Sequence, residues 1–217
     1  MNVTQFFDLN KTLAAPLLLS ADYPWEALDM LSEYIFRVGR TLDTKRYVKI
    51  RNGIWIAKSA AVSENADLKA PIIIGEDSEI ESGACVEKAI IGNGVLVGGG
   101  SEIKNSVIFD EVRAPHHNYI SYSIVGYKSS FGAGSIISNM RADRGAVLCF
   151  DGDETVSSGR KRFGAIVGDR SEIGCSAIIS AGTVVERDAK VSPLVRVRGF
   201  ISAEGVCKGE NIISDIL

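Results

Sequence analysis

Apolar residues recur every six positions along most of this chain: Ile91, Val97 and Ile103, then Ile108, Ala114 and Ile120, then Val125, Phe131 and Ile137. Each triplet starts 17 residues after the last. A fixed period of this kind marks a repeat architecture. Six does not suit a helix face, which repeats near 3.6, but it fits a short strand plus a tight corner. One apolar residue per hexad then points inward, and the residue four later (Val95, Ser101, Val112, Asn118, Ser129, Ser135) points the same way. Glycine directly after the inward residue (Gly92, Gly98, Gly126, Gly132) suits the bend. Three hexads close one coil, and coils stack at roughly 4.8 Å, the ordinary strand spacing. The pattern predicts an all-β chain wound as a triangular parallel β-helix, stabilised coil against coil.

The ladder starts near Ile56 and keeps its step through Val62, Leu68, Ile74, Ile80 and Val86. It shortens to five at Val86 to Ile91, Ile103 to Ile108 and Ile120 to Val125. It stops after Ile137 and resumes at Val167, Ile173, Ile179, Val185, Val191 and Val197. About seven coils give a prism on the order of 34 Å long. The interruption, 138–166, reads as an excursion from one edge. Within it, 146–150 and 154–156 flank Asp151-Gly152-Asp153, the pattern of a β-hairpin with an Asp-Gly turn. It closes on the basic run Arg160-Lys161-Arg162. The tail after Gly199 leaves the pattern and is expected to pack back over the last coil.

Residues 1–50 are different. Trp25, Leu28, Leu31, Tyr34, Ile35 and Val38 recur at helical spacing, with Asp22 as the expected cap, Pro24 in the first turn and Gly39 at the end. A helical cap over the open end of the solenoid is expected here, since solenoids need terminal caps. The chain therefore divides into an N-terminal helical segment, 1–50, and a β-helix, 51–217.

Charge narrows the partners. Lys+Arg 24 against Asp+Glu 27 is near balance, so no nucleic-acid field is implied. No apolar run reaches the ~18 residues of a membrane span. The patch from Leu13 to Leu19 follows acidic Asp8 and lacks a basic lead, so no signal peptide is expected. Cys85, Cys149, Cys175 and Cys207 show no metal-ligand spacing and read as reduced thiols of a cytoplasmic protein.

Stacking the hexads places the polar side chains. Val97, Ala114, Phe131 and Ile173 fall in one column. Two residues on come Gly99, His116, Ala133 and Cys175; three on come Gly100, His117, Gly134 and Ser176. His116 and His117 thus occupy a corner among small residues, which leaves a groove. On the next face Lys104 and Tyr119 point outward on neighbouring coils, and Asn139 stands at the following corner. The excursion leaves from the same place and brings 160–162 back over it. Histidine titrates near neutrality and suits a base for an ammonium nucleophile. Lysine and arginine suit a phosphate. The N–H groups of Gly132-Ala133-Gly134 suit a thioester oxygen. On residue chemistry alone a second reading stands beside this one, in which His116 is a surface corner and the glycines serve only turns.

His116-x-x-Tyr119, then Val125-Gly126, Phe131-Gly132-Ala133-Gly134-Ser135-Ile136 and Asn139, resembles the C-terminal acetyltransferase domain of bifunctional sugar-1-phosphate nucleotidyltransferases. The excursion with Ser157-Ser158-Gly159-Arg160-Lys161-Arg162-Phe163-Gly164-Ala165 looks most like the archaeal type. The likeness covers about 50–200 and is most specific across 104–183. That family makes N-acetylglucosamine-1-phosphate and then the UDP-sugar. The resemblance implies a left-handed parallel β-helix of hexapeptide repeats, a homotrimer, and acetyl-CoA as co-substrate bound between prisms, with no metal needed for acetyl transfer. By the same resemblance His116 matches the general base. Lys104, Tyr119 and Asn139 match contacts to the amino-sugar phosphate, and Arg162 falls where the family has a basic residue. Ala133 matches a backbone contact to the acetyl carrier, and Cys175 stands where one branch has serine. Ser130 departs from the motif, which has asparagine there.

The nucleotidyltransferase half of that family needs a Gly-rich loop ending in Thr-Arg on a Rossmann-like domain. Gly98-Gly99-Gly100-Ser101 lies inside a β-helix coil and lacks that context, and 1–50 is too short for the domain. The expectation is an acetyltransferase standing alone, acting on a glucosamine-1-phosphate-like acceptor without nucleotidyl transfer. Two alternatives are a non-catalytic trimeric scaffold for a separate nucleotidyltransferase and an acetyltransferase on a nucleotide-linked amino sugar. A β-helix carbonic anhydrase needs three separated zinc histidines, and this chain has two, adjacent.

Overall fold

The computed structural model describes residues 1–209 apart from 153. The inward residues stack in three columns, as the hexads require. On the first face Val97 pairs with the level of Ala114, and Phe131 with Ile173. On the second, Ile103 pairs with Ile120 and Ile137 with Ile179. On the third, Ile91 pairs with Ile108 and Val125 with Val167. All of these pairs are parallel, and the columns form one continuous core. This is the left-handed parallel β-helix that the repeat and the resemblance imply.

Among the described residues the first face is one sheet of eight strands, one per coil, so eight coils stack there rather than about seven. The prism is about 38 Å long at ordinary strand spacing. The additional coil comes from the tail, which does not fold back. Phe200–Ile201 pairs in parallel with Thr183–Val185, and Val206–Cys207 with Lys190–Val191. The inward step shrinks between Val197 and Ile201, so the continuation does not follow the six-residue pattern. The eight residues after 209 lie outside the described ones.

The glycines after the inward residues have a different purpose from the one expected. A Cβ on Gly98 would stand 1.6 Å from the Pro115 carbonyl oxygen, and one on Gly132 would stand 2.4 Å from the Cys175 nitrogen. They permit close approach of the next coil. The bend itself lies two residues on, where Gly100, His117, Gly134, Ser176 and Leu194 all have φ between 51° and 70°.

The third face is apolar on both sides. Ile72-Ile73-Ile74 and Ala89-Ile90-Ile91 alternate inward and outward, and all six are fully buried. A sheet face that is apolar outside as well as inside must be covered. The cover is the N-terminal segment, with helices α1 (Val3–Phe6), α2 (Ala15–Leu19) and α3 (Ala27–Gly39). Leu28, Leu31 and Ile35 of α3 join Trp55, Ile73, Ile90, Val107 and Ile124 in a second apolar cluster. The helices therefore lie along a flank of the prism, not over its open end. That end is a mouth of about 540 Å³ lined by Ile54, Ile56, Val62 and Leu68. The cap differs too: α3 is preceded by a 3₁₀ turn at Pro24–Glu26, and the Tyr23 N–H donates to Glu26 Oε2 at 3.1 Å.

The excursion forms the expected hairpin, Leu148–Asp151 against Glu154–Ser157, with Cys149 opposite Val156. Its Asp153 lies outside the described residues. The four cysteines are free thiols; Cys175 is exposed, while Cys149 is buried and burial pushes its thiol up to about 12. A thiol reagent at pH 8 should modify Cys175 first and Cys149 only on unfolding. Mass spectrometry of the modified peptides checks this, and early labelling of Cys149 would mean that the excursion opens in the native state. Among the described residues no helix is long and apolar enough to cross a membrane.

Candidate active site

The corner between the first and second faces carries both histidines, and both are exposed. Its main chain is held from inside. Asn118 is buried, and its N–H donates to Ser101 Oγ at 3.0 Å. Its amide nitrogen donates to the Gly132 carbonyl at 2.7 Å and to Ser135 Oγ at 2.9 Å. Its amide oxygen accepts from the His116 N–H at 3.1 Å. The His116 carbonyl accepts from the Gly134 N–H at 2.9 Å. One inward asparagine therefore ties the histidine turn to the coils on both sides. The sequence counted Asn118 only as a small inward residue; a buried amide in a column of serines was the available signal.

The two imidazoles differ in a way the hexad columns did not resolve. A Cβ on Gly100 would meet His117 Nδ1 at 2.3 Å. The space that Gly100 leaves is thus filled by the His117 ring, which packs on the coil below. His116 is exposed and shows no side-chain hydrogen bond among the described residues.

At the Gly132–Gly134 turn, one of the three N–H groups is left without a protein partner among the described residues. The Gly132 N–H is spent on the Ile173 carbonyl at 2.7 Å and the Gly134 N–H on His116. The Ala133 N–H has no protein partner among the described residues, and neither has that of Cys175 one coil up. Ser130, Gly132 and Cys175 line a groove of about 470 Å³ beside this corner, bounded by the Lys190–Glu172 ion pair at 2.9 Å. Ser130 lies between the levels of Arg113 and Glu172.

On the second face Tyr119 stands one coil above Glu102, while Lys104 stands below Ser121. Tyr119 is thus diagonal to Lys104 rather than directly over it. Lys104 Nζ is 2.5 Å from Glu102 Oε2, a hydrogen bond that raises the ammonium above its usual range. Glu102 escaped the sequence reading, although i and i+2 on a strand share a side. Asn139 is nearly buried and donates from its amide nitrogen to Ser121 Oγ at 2.8 Å. The basic run divides. Arg160 turns to Asp29 of α3. Arg162 lies over the Tyr122 ring, 5.8 Å from its centroid. His116 therefore marks one edge of the second face, Lys104 and Tyr119 lie on it, and Asn139 and Arg162 mark the opposite edge.

No protein-family profile matches the chain. A bifunctional sugar-1-phosphate nucleotidylyltransferase/acetyltransferase of Sulfurisphaera tokodaii is 28% identical over 151 residues, covering 61% of this chain and 38% of that protein. The bifunctional protein GlmU of Methanococcus maripaludis is 28% identical over 188 residues, covering 80% and 46%. The chain is similar to these bifunctional proteins over that part of its length. It spans less than half the length of each. An uncharacterized acetyltransferase of Escherichia coli, YaiX, is 29% identical over 177 residues, covering 71% of this chain and 76% of that protein. Among solved structures, the UDP-N-acetylglucosamine O-acyltransferase of Moraxella catarrhalis aligns over 72% of this chain and 58% of that one, with TM-score 0.39 and 13% identity. The family named from the motifs at 104–183 is the family of the first two relatives.

Proposed function

We propose that this chain is an acetyl-CoA-dependent N-acetyltransferase whose acceptor is an amino-sugar phosphate of the glucosamine-1-phosphate kind. The observation that carries the reading is the His116 corner. An exposed imidazole with no side-chain hydrogen bond among the described residues stands beside an uncommitted Ala133 N–H, at the edge of a face bearing Lys104 and, at its far side, Arg162. In this reading the acceptor ammonium first gives one proton to solvent, and His116 takes a second from the nitrogen as it bonds to the carbonyl carbon. The amine nitrogen attacks the thioester carbonyl, whose oxygen gains negative charge and accepts from the Ala133 N–H. The C–S bond breaks, and the proton held by His116 goes to the departing sulfur. The small side chain of Ala133 and the uncommitted N–H groups of Ala133 and Cys175 fit the thioester end of acetyl-CoA. Lys104, Tyr119, Asn139 and Arg162 are assigned to the acceptor. Relatives that join sugar-1-phosphate chemistry to acetyl transfer support this choice of substrate.

A homotrimer belongs to the same reading. Ile136 and Ile178 stack on the second face with 40% and 42% of their surface exposed, next to the histidine corner. Burial of that stripe against a neighbouring prism places the second face between subunits. Light scattering should give three copies at micromolar concentration; a monomer that persists on concentration would remove the shared site.

Acetyl-CoA consumption against a panel of amino-sugar phosphates, free amino sugars and nucleotide-linked amino sugars tests the activity. Turnover confined to nucleotide-linked sugars would replace the proposed acceptor, and no turnover on any would leave a binding scaffold. Lys104→Ala should raise KM for the sugar phosphate by about ten-fold, and KM for acetyl-CoA far less, because one ligand alone loses a charge-assisted contact. Equal rises in both would make Lys104 structural. Saturating acetyl-CoA should also slow thiol labelling of Cys175, and unchanged labelling would remove Cys175 from the carrier site.

A further inference from the structure

Arg162 differs from three of the cations near it. Lys104, Arg160 and Arg141 are each paired with a carboxylate, Glu102, Asp29 and Asp143 respectively. Arg162 is exposed and makes no such pair among the described residues; its guanidinium rests on the Tyr122 ring. The chain on either side of Arg162 is tightly held. The Phe163 N–H donates to the Asn139 carbonyl at 3.0 Å, and the Phe163 ring is fully buried against Trp25. The Gly164 N–H donates to the Tyr122 carbonyl at 2.7 Å, while the Tyr122 N–H donates to the Lys104 carbonyl at 2.8 Å. Tyr122 is thus bonded through its main chain to both segments that carry the proposed phosphate cations.

Tyr122 also stands where an aromatic residue is costly. Its φ is 52°, the left-handed region, which asparagine tolerates better. One coil below, the same corner is taken by Asn105 at φ 47°. A ring kept at such a position, directly under an unpaired guanidinium, calls for a use beyond the turn.

We propose that Tyr122 is a positioning residue: its ring is the platform that aims the Arg162 guanidinium at the anionic group of the acceptor on the second face. The inference rests on the reading of that face as the acceptor site. Guanidinium stacks on an aromatic face by cation–π attraction, and its edge N–H groups stay free for a phosphate. The Tyr122 hydroxyl makes no hydrogen bond among the described residues, so the ring alone is the working part.

The test compares Tyr122→Asn, Tyr122→Phe and Arg162→Ala with the unaltered chain, using a sugar phosphate and its dephosphorylated form. Asparagine preserves the backbone, as Asn105 shows, and removes the ring. Tyr122→Asn should raise KM for the sugar phosphate about two- to five-fold, the worth of an exposed cation–π contact. It should leave kcat, KM for acetyl-CoA and KM for the dephosphorylated sugar unchanged. Tyr122→Phe should behave as the unaltered chain. In the Arg162→Ala background, Tyr122→Asn should add nothing. A chain that prefers the phosphate but is indifferent to Tyr122→Asn, or additive effects of the two changes, overturns the positioning role. Loss of kcat together with both KM values in Tyr122→Asn would make the residue structural and overturn it equally. No preference for the phosphate in the unaltered chain would overturn the acceptor assignment itself.

Discussion

His116→Ala is expected to lower kcat by about 10²–10⁴-fold, the usual worth of a general base, while acetyl-CoA still binds. The acceptor amine arrives largely protonated and cannot attack until a proton leaves. His116 is an exposed imidazole with no competing side-chain hydrogen bond, at a turn fixed by Asn118. The carrier should survive the change because its proposed contacts are the main-chain N–H groups of Ala133 and Cys175, which no side chain at 116 supplies. His117→Ala is the control. Its ring packs down on Gly100, two coils below Ala133 and three below Cys175, so turnover should stay within a few-fold. The measurements are kcat for both variants and a calorimetric isotherm for acetyl-CoA. Near-normal turnover of His116→Ala, or a dead His117→Ala, would show that the wrong imidazole had been assigned.

Trp25→Ala should be the most damaging single change to stability, at about 3–5 kcal/mol. Trp25 is 1% exposed, stacked on Tyr23 at 4.6 Å and set against Phe163 at 5.7 Å. It joins the helical layer to the returning limb of the excursion, so truncation opens a void that neither can fill without leaving the prism. The melting temperature should fall by about 6–20 °C, given the usual shift of 2–4 °C per kcal/mol for a chain of this size. Leu19→Ala, at a side chain 62% exposed, should change it little. A loss at Trp25 no larger than that at Leu19 would mean that the helical layer is loosely attached.

The coil was legible because its signal is one-dimensional. An inward column repeats at a fixed step whatever the rest of the molecule does, so Val97, Ala114, Phe131 and Ile173 aligned correctly from spacing alone. Where the step changes the pattern ends, so the sequence alone makes the coil through Ile201 and Cys207 look like a tail that packs back over the last coil. The place of the helices was legible in principle. Ile72-Ile73-Ile74 and Ala89-Ile90-Ile91 are apolar on both sides, and a strand of that kind needs a cover on its outer side. The columns place the two histidines at the corner but do not give the contacts there. Which imidazole fills the space over Gly100 depends on the left-handed turn at His117, and φ is not written in a column. The same holds for the basic run. Charge put Arg160 and Arg162 in one patch, but the path of the excursion sends one to Asp29 and the other to Tyr122.

The excursion has a consequence for how the chain reaches this fold. Within the lower coils, partners on adjacent levels are about 17 residues apart, as in the bond from Asn118 to Ser101. Across the excursion the separation is 42 residues, as in the bond from Ala165 to Ser123. Closing the longer loop costs roughly 1 kcal/mol more by loop-entropy scaling. Short-range pairings form faster than long-range ones, so the lower coils can assemble without waiting for the upper ones. The molecule then has a kinetic seam between the levels of Val125 and Val167. Amide exchange should divide there into two blocks, and refolding should fill the block below the seam before the block above it.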